Sequence, residues 1–111
     1  MSFEPYAVVK VPFPFTDGQA QKQRPALILS SREFGRQSGH SLMAMITSAR
    51  HSSWPQDVAV TDLEAAGLPV ACVIRMKFFT LDHRLVIGEL GQLSPKDKRA
   101  FRAALRQVLG D

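Results

Sequence analysis

The sequence predicts a mostly β domain of the α+β type: a small, strongly bent sheet or partly open barrel with a C-terminal α-helix laid across it. Three observations lead to this fold class. Short apolar runs bounded by Pro, Gly, Asp and Ser recur as far as Leu90, which is typical of strands joined by turns. Clear helical spacing of apolar residues is found only after Ser94. The length of 111 residues allows one core, so we expect residues 1–111 to form a single domain.

Six segments have the composition of strands: residues 6–11, 25–30, 41–46, 56–60, 71–77 and 85–90. We expect Pro12 to close the first strand and the fourth strand to lie at a sheet edge. Pro25 cannot donate to a sheet ladder and keeps the preceding residue extended, so Arg24 is predicted to lie at the mouth of the second strand. Residues 31–39 are predicted to be a helical turn or a surface loop. Residues 65–69 and 78–82 are predicted to be turns.

The helix is predicted from its start signals and its apolar stripe. Ser94 can cap it, Pro95 suits the first helical position, and Asp97 favours the positive end of the helix dipole. Gly110 can end it. The stripe that would pack on the sheet comprises Phe101, Ala104, Leu105 and Val108.

Composition limits the classes of protein to consider. Hydrophobic residues make up 45% and charged residues 22%, as in ordinary soluble domains, and we expect neither a membrane span nor a secretion signal. The single cysteine, Cys72, is expected to be a core residue of a protein in the reducing cytoplasm. No Cys and His spacing suggests a zinc site, and we expect no metal or other cofactor. A net charge of +4 favours an anionic partner, either nucleic acid or an acidic protein, or both.

Cations and hydroxyls at predicted strand ends form the candidate site. The guanidinium of Arg24 suits a phosphate, although it could equally cap a strand or pair with a surface acid. Thr47 and Ser48 could hold a phosphate oxygen or a sugar hydroxyl, or could satisfy nearby backbone groups. Arg75 and Lys77 share one face of a strand, and they repel each other unless an anion lies close to them.

Aromatic and polar residues beside these cations suggest contacts to unpaired bases. Phe13 and Phe15 alternate with prolines, so their rings can either fill the barrel wall or stack on a base. Gln21 and Lys22 lie in a polar loop that is long enough to cover a ligand. Arg50, His51 and Trp54 combine charge with an aromatic ring, as single-stranded RNA surfaces do, although Trp54 could instead pack against the rim.

Five motifs in order resemble the MazF/PemK toxin family. They are the stretch from Val9 to Asp17, the stretch from Arg24 to Ser30, Ile46-Thr47-Ser48, Val73-Ile74-Arg75, and Phe79-Thr80-Leu81-Asp82. The resemblance implies an SH3-like, partly open barrel of the PemK/CcdB kind that forms a homodimer. It also implies the toxin of a type II toxin–antitoxin system, which cleaves single-stranded RNA (mRNA) without a metal, by attack of the 2′-hydroxyl, and so inhibits translation and growth. The product would carry a 2′,3′-cyclic phosphate. The expected inhibitor is a cognate antitoxin with an acidic, flexible tail.

The same resemblance assigns residues. Arg24, Thr47, Ser48 and Arg75 match the family's catalytic positions, with charge stabilisation as the expected role of Arg75 because a guanidinium hardly gives up its proton. The expected RNA contacts are Phe15, Gln21, Lys22, Arg50, His51, Trp54 and Lys77.

Two departures from the PemK pattern remove the obvious general base. Lys77 stands where that branch has an aspartate, and the loop before Arg24 has no histidine. Asp82, His51 or a bound water could replace the base, and Lys77 could donate a proton or clamp a phosphate. The alternatives are a non-catalytic toxin of the same fold that acts on a protein such as gyrase, as CcdB does, a degenerate RNA binder, and a generic RNA-binding barrel with no toxin role.

Overall fold

A computed structural model describes residues 2–13, 22–50 and 53–110 of the chain. Their helices and strands, in chain order, are β1 (Ala7–Phe13), β2 (Lys22–Ile28), α1 (Arg32–Ser38), β3 (His40–Ser48), β4 (Val58–Ala59), α2 (Leu63–Ala66), β5 (Cys72–Asp82), β6 (Gly88–Gln92) and α3 (Pro95–Val108), with a 3₁₀ turn at His83–Leu85. The six strands form one sheet in the order β4-β5-β3-β2-β1-β6, and every pairing is antiparallel. The sheet curls into a half-barrel, so the predicted fold class is confirmed.

Both faces of the sheet are covered, which explains the uninterrupted apolar runs in the sequence. On one face α3 packs through Phe101, which is fully buried; the strand residues of that core include Val8, Leu27, Ile46 and Ile74. The opposite face carries a second core of Phe3, Ala7, Val9, Val11, Ala26, Ile28, Met43 and Leu81. Cys72 is buried in the first core, as predicted.

The predicted helix is confirmed as α3, with one difference at its end. The Ser94 hydroxyl accepts a hydrogen bond from the backbone N–H of Asp97, and Pro95 opens the helix. Its C-cap is Leu109 rather than Gly110. Among the described residues, no helix has the length and apolar character needed to cross a membrane.

The predicted strands differ from the observed ones in their bounds, and the prediction that Pro12 closes the first strand is wrong. β1 continues through Pro12 to Phe13; beyond Lys10 it has only β2 as a neighbour, and proline is tolerated at such one-sided positions. β2 begins at Lys22, so Arg24 lies within the strand, opposite Val11, and not at its mouth. β3 extends the predicted strand at both ends. The edge strand β4 is confirmed but has only two residues.

Three predicted turns or loops have more structure than expected. Residues 31–39 form the capped helix α1, and Leu63–Ala66 form α2, which ends at Gly67 with a φ of 71°. The predicted turn at residues 78–82 is wrong, because those residues continue β5 and pair with His40–Ala44 of β3. The last strand is shifted accordingly, to Gly88–Gln92 after the 3₁₀ turn.

One irregularity shapes the centre of the sheet. Ala44 pairs with Phe78, whereas Ile46 pairs with Ile74, so three residues of β5 lie opposite Met45 alone. These three residues are Arg75, Met76 and Lys77. Extra residues of this kind bend a strand and redirect its side chains, and they are common next to functional sites.

Candidate functional site

A groove of about 300 Å³ is formed where the middle strands of the sheet carry cationic and hydroxyl side chains. It is lined by Phe13, Arg24, Met45, Thr47, Trp54, Arg75 and Lys77. Because β2, β3 and β5 are neighbours in the sheet, Arg24, Thr47 and Arg75 come together although they are far apart in sequence. Five of the residues predicted to form the site therefore share one groove: Arg24, Thr47, Trp54, Arg75 and Lys77.

Arg24 is held by an aromatic ring and has an unused donor. Its guanidinium carbon lies 5.3 Å from the centre of the Phe13 ring, a cation–π contact. Its Nε is buried and has no hydrogen-bond partner among the described residues. A buried donor without a partner is uncommon in folded proteins, and a bound anion would satisfy it.

Arg75 is held differently, by a carboxylate that the sequence analysis did not identify. Its Nε donates to Asp57 Oδ1 at 3.2 Å and its Nη2 donates to Asp57 Oδ2 at 3.0 Å. Only 10% of the Arg75 side chain and 12% of the Asp57 side chain are exposed. Asp57 Oδ2 also accepts the backbone N–H of Trp54 at 2.9 Å, and the Trp54 ring lies 5.4 Å from the Arg75 guanidinium carbon. Asp57 is therefore the anion that the sequence predicts close to the neighbouring cations Arg75 and Lys77.

The environment of Asp57 keeps it ionised. Burial alone would raise the pKa of Asp57. The hydrogen bonds from Arg75 and from the Trp54 backbone, together with the Arg75 charge, outweigh burial and hold the pKa below its ordinary value. A carboxylate of this kind is a weak proton acceptor at neutral pH. Asp57 lies opposite Arg75 because Val58 pairs with Ile74, and only the β4–β5 register reveals this neighbour.

Several predicted residues lie elsewhere. Ser48 follows Thr47 on β3 and does not line this groove; it lines a neighbouring depression that Arg24 and Thr47 also line, and it accepts the backbone N–H of Arg50 at 3.3 Å. Arg50 is exposed in the turn after β3, and Lys22 is exposed at the start of β2; neither lines the groove as described. Phe15, Gln21 and His51 lie outside the described residues.

Asp82 is not a base for this groove. It lies at the far end of β5, seven residues from Arg75 or roughly 20 Å along the strand, and is ion-paired with Arg84. Two histidines besides His51 are present in the chain. His83 is buried and hydrogen-bonded to Ser41 at 2.7 Å, and His40 lies beside Asp82 in the sheet. Within the described ranges, no three His, Cys, Asp or Glu side chains are grouped so that they could hold a metal ion.

The arrangement suits a phosphate ester with an unpaired base beside it. Arg24 offers a donor that no other described residue uses, Thr47 a hydroxyl, Lys77 an exposed ammonium and Trp54 an aromatic surface that is 41% exposed. A larger groove of about 510 Å³ adjoins Arg24, but its other walls are mainly Leu and Pro side chains, including Leu63, Leu68 and Pro69. We therefore assign the candidate site to the smaller groove.

Comparison with known proteins gives a family match over almost the whole chain. A family model described as "PemK-like, MazF-like toxin of type II toxin-antitoxin system" matches residues 4–109. No curated protein sequence gives a significant match.

Solved structures share the fold along almost the whole chain. A MazF structure from Deinococcus radiodurans is 22% identical, with a TM-score of 0.76 over 100% of this chain and 99% of that chain. A MazE–MazF complex from the same organism is 22% identical, with a TM-score of 0.77 over 99% of this chain and 98% of that chain. An endoribonuclease with its cognate antitoxin from a mycobacterial species is 19% identical, with a TM-score of 0.73 over 98% of this chain and 94% of that chain.

Proposed function

Because the chain belongs to the PemK-like, MazF-like toxins of type II toxin–antitoxin systems, we propose that it is a metal-independent, sequence-specific endoribonuclease acting on single-stranded RNA. In the cell the substrate is mRNA, and its cleavage inhibits translation and growth. The observation that carries the proposal is the buried Nε of Arg24, which has no hydrogen-bond partner in the described part of the chain and lies in a groove that Thr47 also lines.

The reaction needs little covalent chemistry from the protein. The 2′-hydroxyl oxygen attacks the adjacent phosphorus, the bond from phosphorus to the 5′-oxygen breaks, and the products are a 2′,3′-cyclic phosphate and a 5′-hydroxyl. One proton leaves the 2′-hydroxyl and one is delivered to the 5′-oxygen. Positioning of the phosphate and stabilisation of the charge that develops on it are the main contributions required of the protein.

Roles follow from the surroundings of each side chain. Arg24 binds the phosphate and stabilises the charge of the transition state with its free donor. Thr47 orients the 2′-hydroxyl or a phosphate oxygen, and Lys77 neutralises the phosphate and protonates the leaving oxygen. Arg75 contributes less charge because Asp57 already pairs with it. Ser48 is the weakest of the four catalytic candidates because it alone does not line the groove that Arg24, Thr47 and Arg75 share.

RNA contacts and partners complete the proposal. Trp54 provides a stacking surface, and the aromatic, polar and basic side chains of Phe15, Gln21, Lys22, Arg50 and His51 are further RNA contacts. We further propose a homodimer in the cytoplasm, inhibited by a cognate antitoxin with an acidic tail that covers the groove. The net charge of +4 supports an acidic partner, and the MazE–MazF complexes among similar structures support an antitoxin.

The test is incubation of the purified protein with mixed-sequence RNA in EDTA, followed by mapping of the cut ends. Wild type and Arg99→Ala, a control on the exposed face of α3, should cut at the same short sequence and leave 2′,3′-cyclic or 3′-phosphate ends. Arg24→Ala should be inactive but folded. Cleavage by folded Arg24→Ala, or no cleavage by wild type, would overturn the proposal.

One observation favours a second candidate, an RNA-binding module without catalysis. In the described part of the groove the carboxylate within reach is Asp57, and Arg75 engages both of its oxygens. A protein with no proton acceptor would bind RNA and leave it intact. RNA binding by wild type without any cut ends is the result that this candidate requires.

A further inference from the structure

We propose that Asp57 is a positioning residue that holds Arg75 and Trp54 together, so that the Trp54 ring becomes a fixed platform for one unpaired base beside the phosphate bound by Arg24. We call Trp54, Asp57 and Arg75 the clamp. The proposal rests on the proposed function, since it assigns a base-binding role within the same groove.

The clamp joins three parts of the chain. Asp57 lies just before β4, Arg75 lies in the irregular part of β5, and Trp54 lies in the segment between β3 and β4. The two oxygens of Asp57 receive two hydrogen bonds from Arg75, at 3.2 and 3.0 Å, and one from the Trp54 backbone at 2.9 Å. The backbone N–H of Asp57 donates in return to the Trp54 carbonyl at 3.3 Å, which closes a turn. One carboxylate thus fixes both the backbone of Trp54 and the cation beside its ring.

The geometry makes Arg75 part of the wall and leaves the phosphate to Arg24. Arg75 directs Nε and Nη2, which together form the fork suited to a phosphate, at Asp57 instead. Because both side chains are nearly buried, a phosphate that displaced Asp57 would leave a carboxylate uncompensated, which is strongly unfavourable. In the same groove, the buried Nε of Arg24 has no partner within residues 2–13, 22–50 and 53–110.

The exposed part of Trp54 is the functional surface of the clamp. The guanidinium of Arg75 lies 5.4 Å from the ring centre, and 41% of the residue nevertheless remains exposed. An aromatic ring that is already oriented loses little freedom when a base stacks on it, and every base offers a face for stacking.

The experiment uses Trp54 itself as the probe, since it is the only tryptophan of the chain. Its emission is recorded during titration with a random-sequence, single-stranded 2′-O-methyl RNA, which cannot be cleaved because the attacking hydroxyl is blocked. Wild type should be quenched as the oligonucleotide binds. Asp57→Asn keeps the size of the side chain but removes its charge; its emission should shift to longer wavelength before titration, and its affinity should fall at least fivefold.

Asp82→Asn is the matched control. Asp82 also receives hydrogen bonds from an arginine, the Nε and Nη2 of Arg84, and it lies on the same strand as Arg75 but away from the groove. This variant should match wild type in emission and in affinity. If Asp57→Asn also matches wild type within twofold, or if the oligonucleotide leaves wild-type emission unchanged, the clamp is refuted.

Two further variants cover a failure of Asp57→Asn to fold. Trp54→Ala, at an exposed position, should bind the oligonucleotide at least fivefold more weakly by fluorescence anisotropy of a labelled strand, and unchanged affinity would refute the platform. Asp57→Glu retains the charge and should preserve more of the affinity than Asp57→Ala. These readouts do not require cleavage, so their failure is distinct from a failure of the nuclease assay.

Discussion

The guanidinium of Arg24 lies over the ring of Phe13, with 5.3 Å between the guanidinium carbon and the ring centre. The two residues come from adjacent strands, where Phe13 pairs with Lys22 and Arg24 with Val11. Phe13 is partly buried, so the ring supports the arginine from inside the groove wall. Phe13 therefore lines the groove and supports one of its cations.

Replacement of Phe13 should therefore weaken catalysis through Arg24. Phe13→Leu keeps apolar volume but removes the cation–π contact, which is worth about 0.5–2 kcal/mol, so kcat/KM on RNA should fall roughly twofold to thirtyfold. Phe13→Tyr keeps the ring and should retain most of the activity. Equal activity of the Leu and Tyr variants, at equal thermal stability, would show that the ring has no such role.

Thr47 and Ser48 should differ sharply although they are neighbours. Thr47 lines the groove that also holds Arg75 and Lys77, whereas Ser48 lines only the neighbouring depression and its hydroxyl accepts the Arg50 backbone N–H. Thr47→Val, which loses only the hydroxyl, should lower kcat on the order of a hundredfold, as loss of a transition-state hydrogen bond does. Ser48→Ala should stay within about threefold of wild type. Single-turnover cleavage of a mapped RNA site measures both, and the reverse order would exclude this assignment.

Asp97 should be a major contributor to stability. It is 1% exposed and accepts hydrogen bonds from the Thr61 hydroxyl at 2.6 Å, the Thr61 N–H at 2.9 Å and the Asp62 N–H at 3.0 Å. Asp97→Asn turns an NH₂ group toward these donors, so the free energy of unfolding in urea should fall by about 2–4 kcal/mol. Glu89→Gln, an exposed carboxylate on β6, is the control and should change it by less than about 0.5 kcal/mol.

The same residue predicts how stability depends on pH. Burial alone would raise the pKa of Asp97. Hydrogen bonds from Thr61, Asp62 and Ser94 outweigh burial and hold the pKa below its ordinary value. A carboxyl with a depressed folded pKa stabilises the fold above its unfolded pKa of about 3.9, and this contribution is lost as the pH falls through the folded pKa. Urea unfolding should therefore give a flat profile from about pH 7 to 5 and a decline below about pH 4. The decline should be shallower in Asp97→Asn; parallel profiles would contradict this account.

Two glycines with the same backbone angle should respond differently to alanine. Gly39 and Gly67 both have a φ of +71°, but a Cβ on Gly39 meets nothing within 4 Å, whereas one on Gly67 would lie 2.1 Å from the carbonyl oxygen of Leu90. Gly39→Ala should cost about 1 kcal/mol of unfolding free energy for the left-handed conformation alone. Gly67→Ala should cost about 3 kcal/mol or more, since α2 must move away from β6. Equal losses of unfolding free energy in the two variants would mean that α2 can move away from β6 at little energetic cost.

The sequence was sufficient to predict the mostly β fold, the C-terminal helix and several of the residues that line the groove. Arg24, Thr47 and Arg75 each occur in or beside a short apolar run, and such runs become neighbouring strands in a small sheet. Asp57 escaped prediction because its role depends on the pairing of Val58 with Ile74, and β4 is too short for its register to be read from a pattern.

Asp82 was misjudged for a related reason. The sequence predicts a turn at residues 78–82, so it does not place Asp82 at the end of a long strand. In the structure Phe79 and Leu81 pack on the second core while Phe78 and Thr80 face outward, an alternation that identifies a strand. With that pattern recognised, β5 is long and Asp82 lies at its distant end.

The irregularity in β5 makes this strand, in effect, two short strands with a three-residue insert between them. The pairing of Cys72–Ile74 with β3 and that of Phe78–Asp82 with β3 are each complete without Arg75, Met76 or Lys77. Substitutions at positions 75 and 77 can therefore change the charge of the groove without altering the register of either half. Deletion of one residue from the insert would instead move the side chains of one half of β5 to the opposite face of the sheet. The sheet therefore tolerates changes of side chain here but not changes of length.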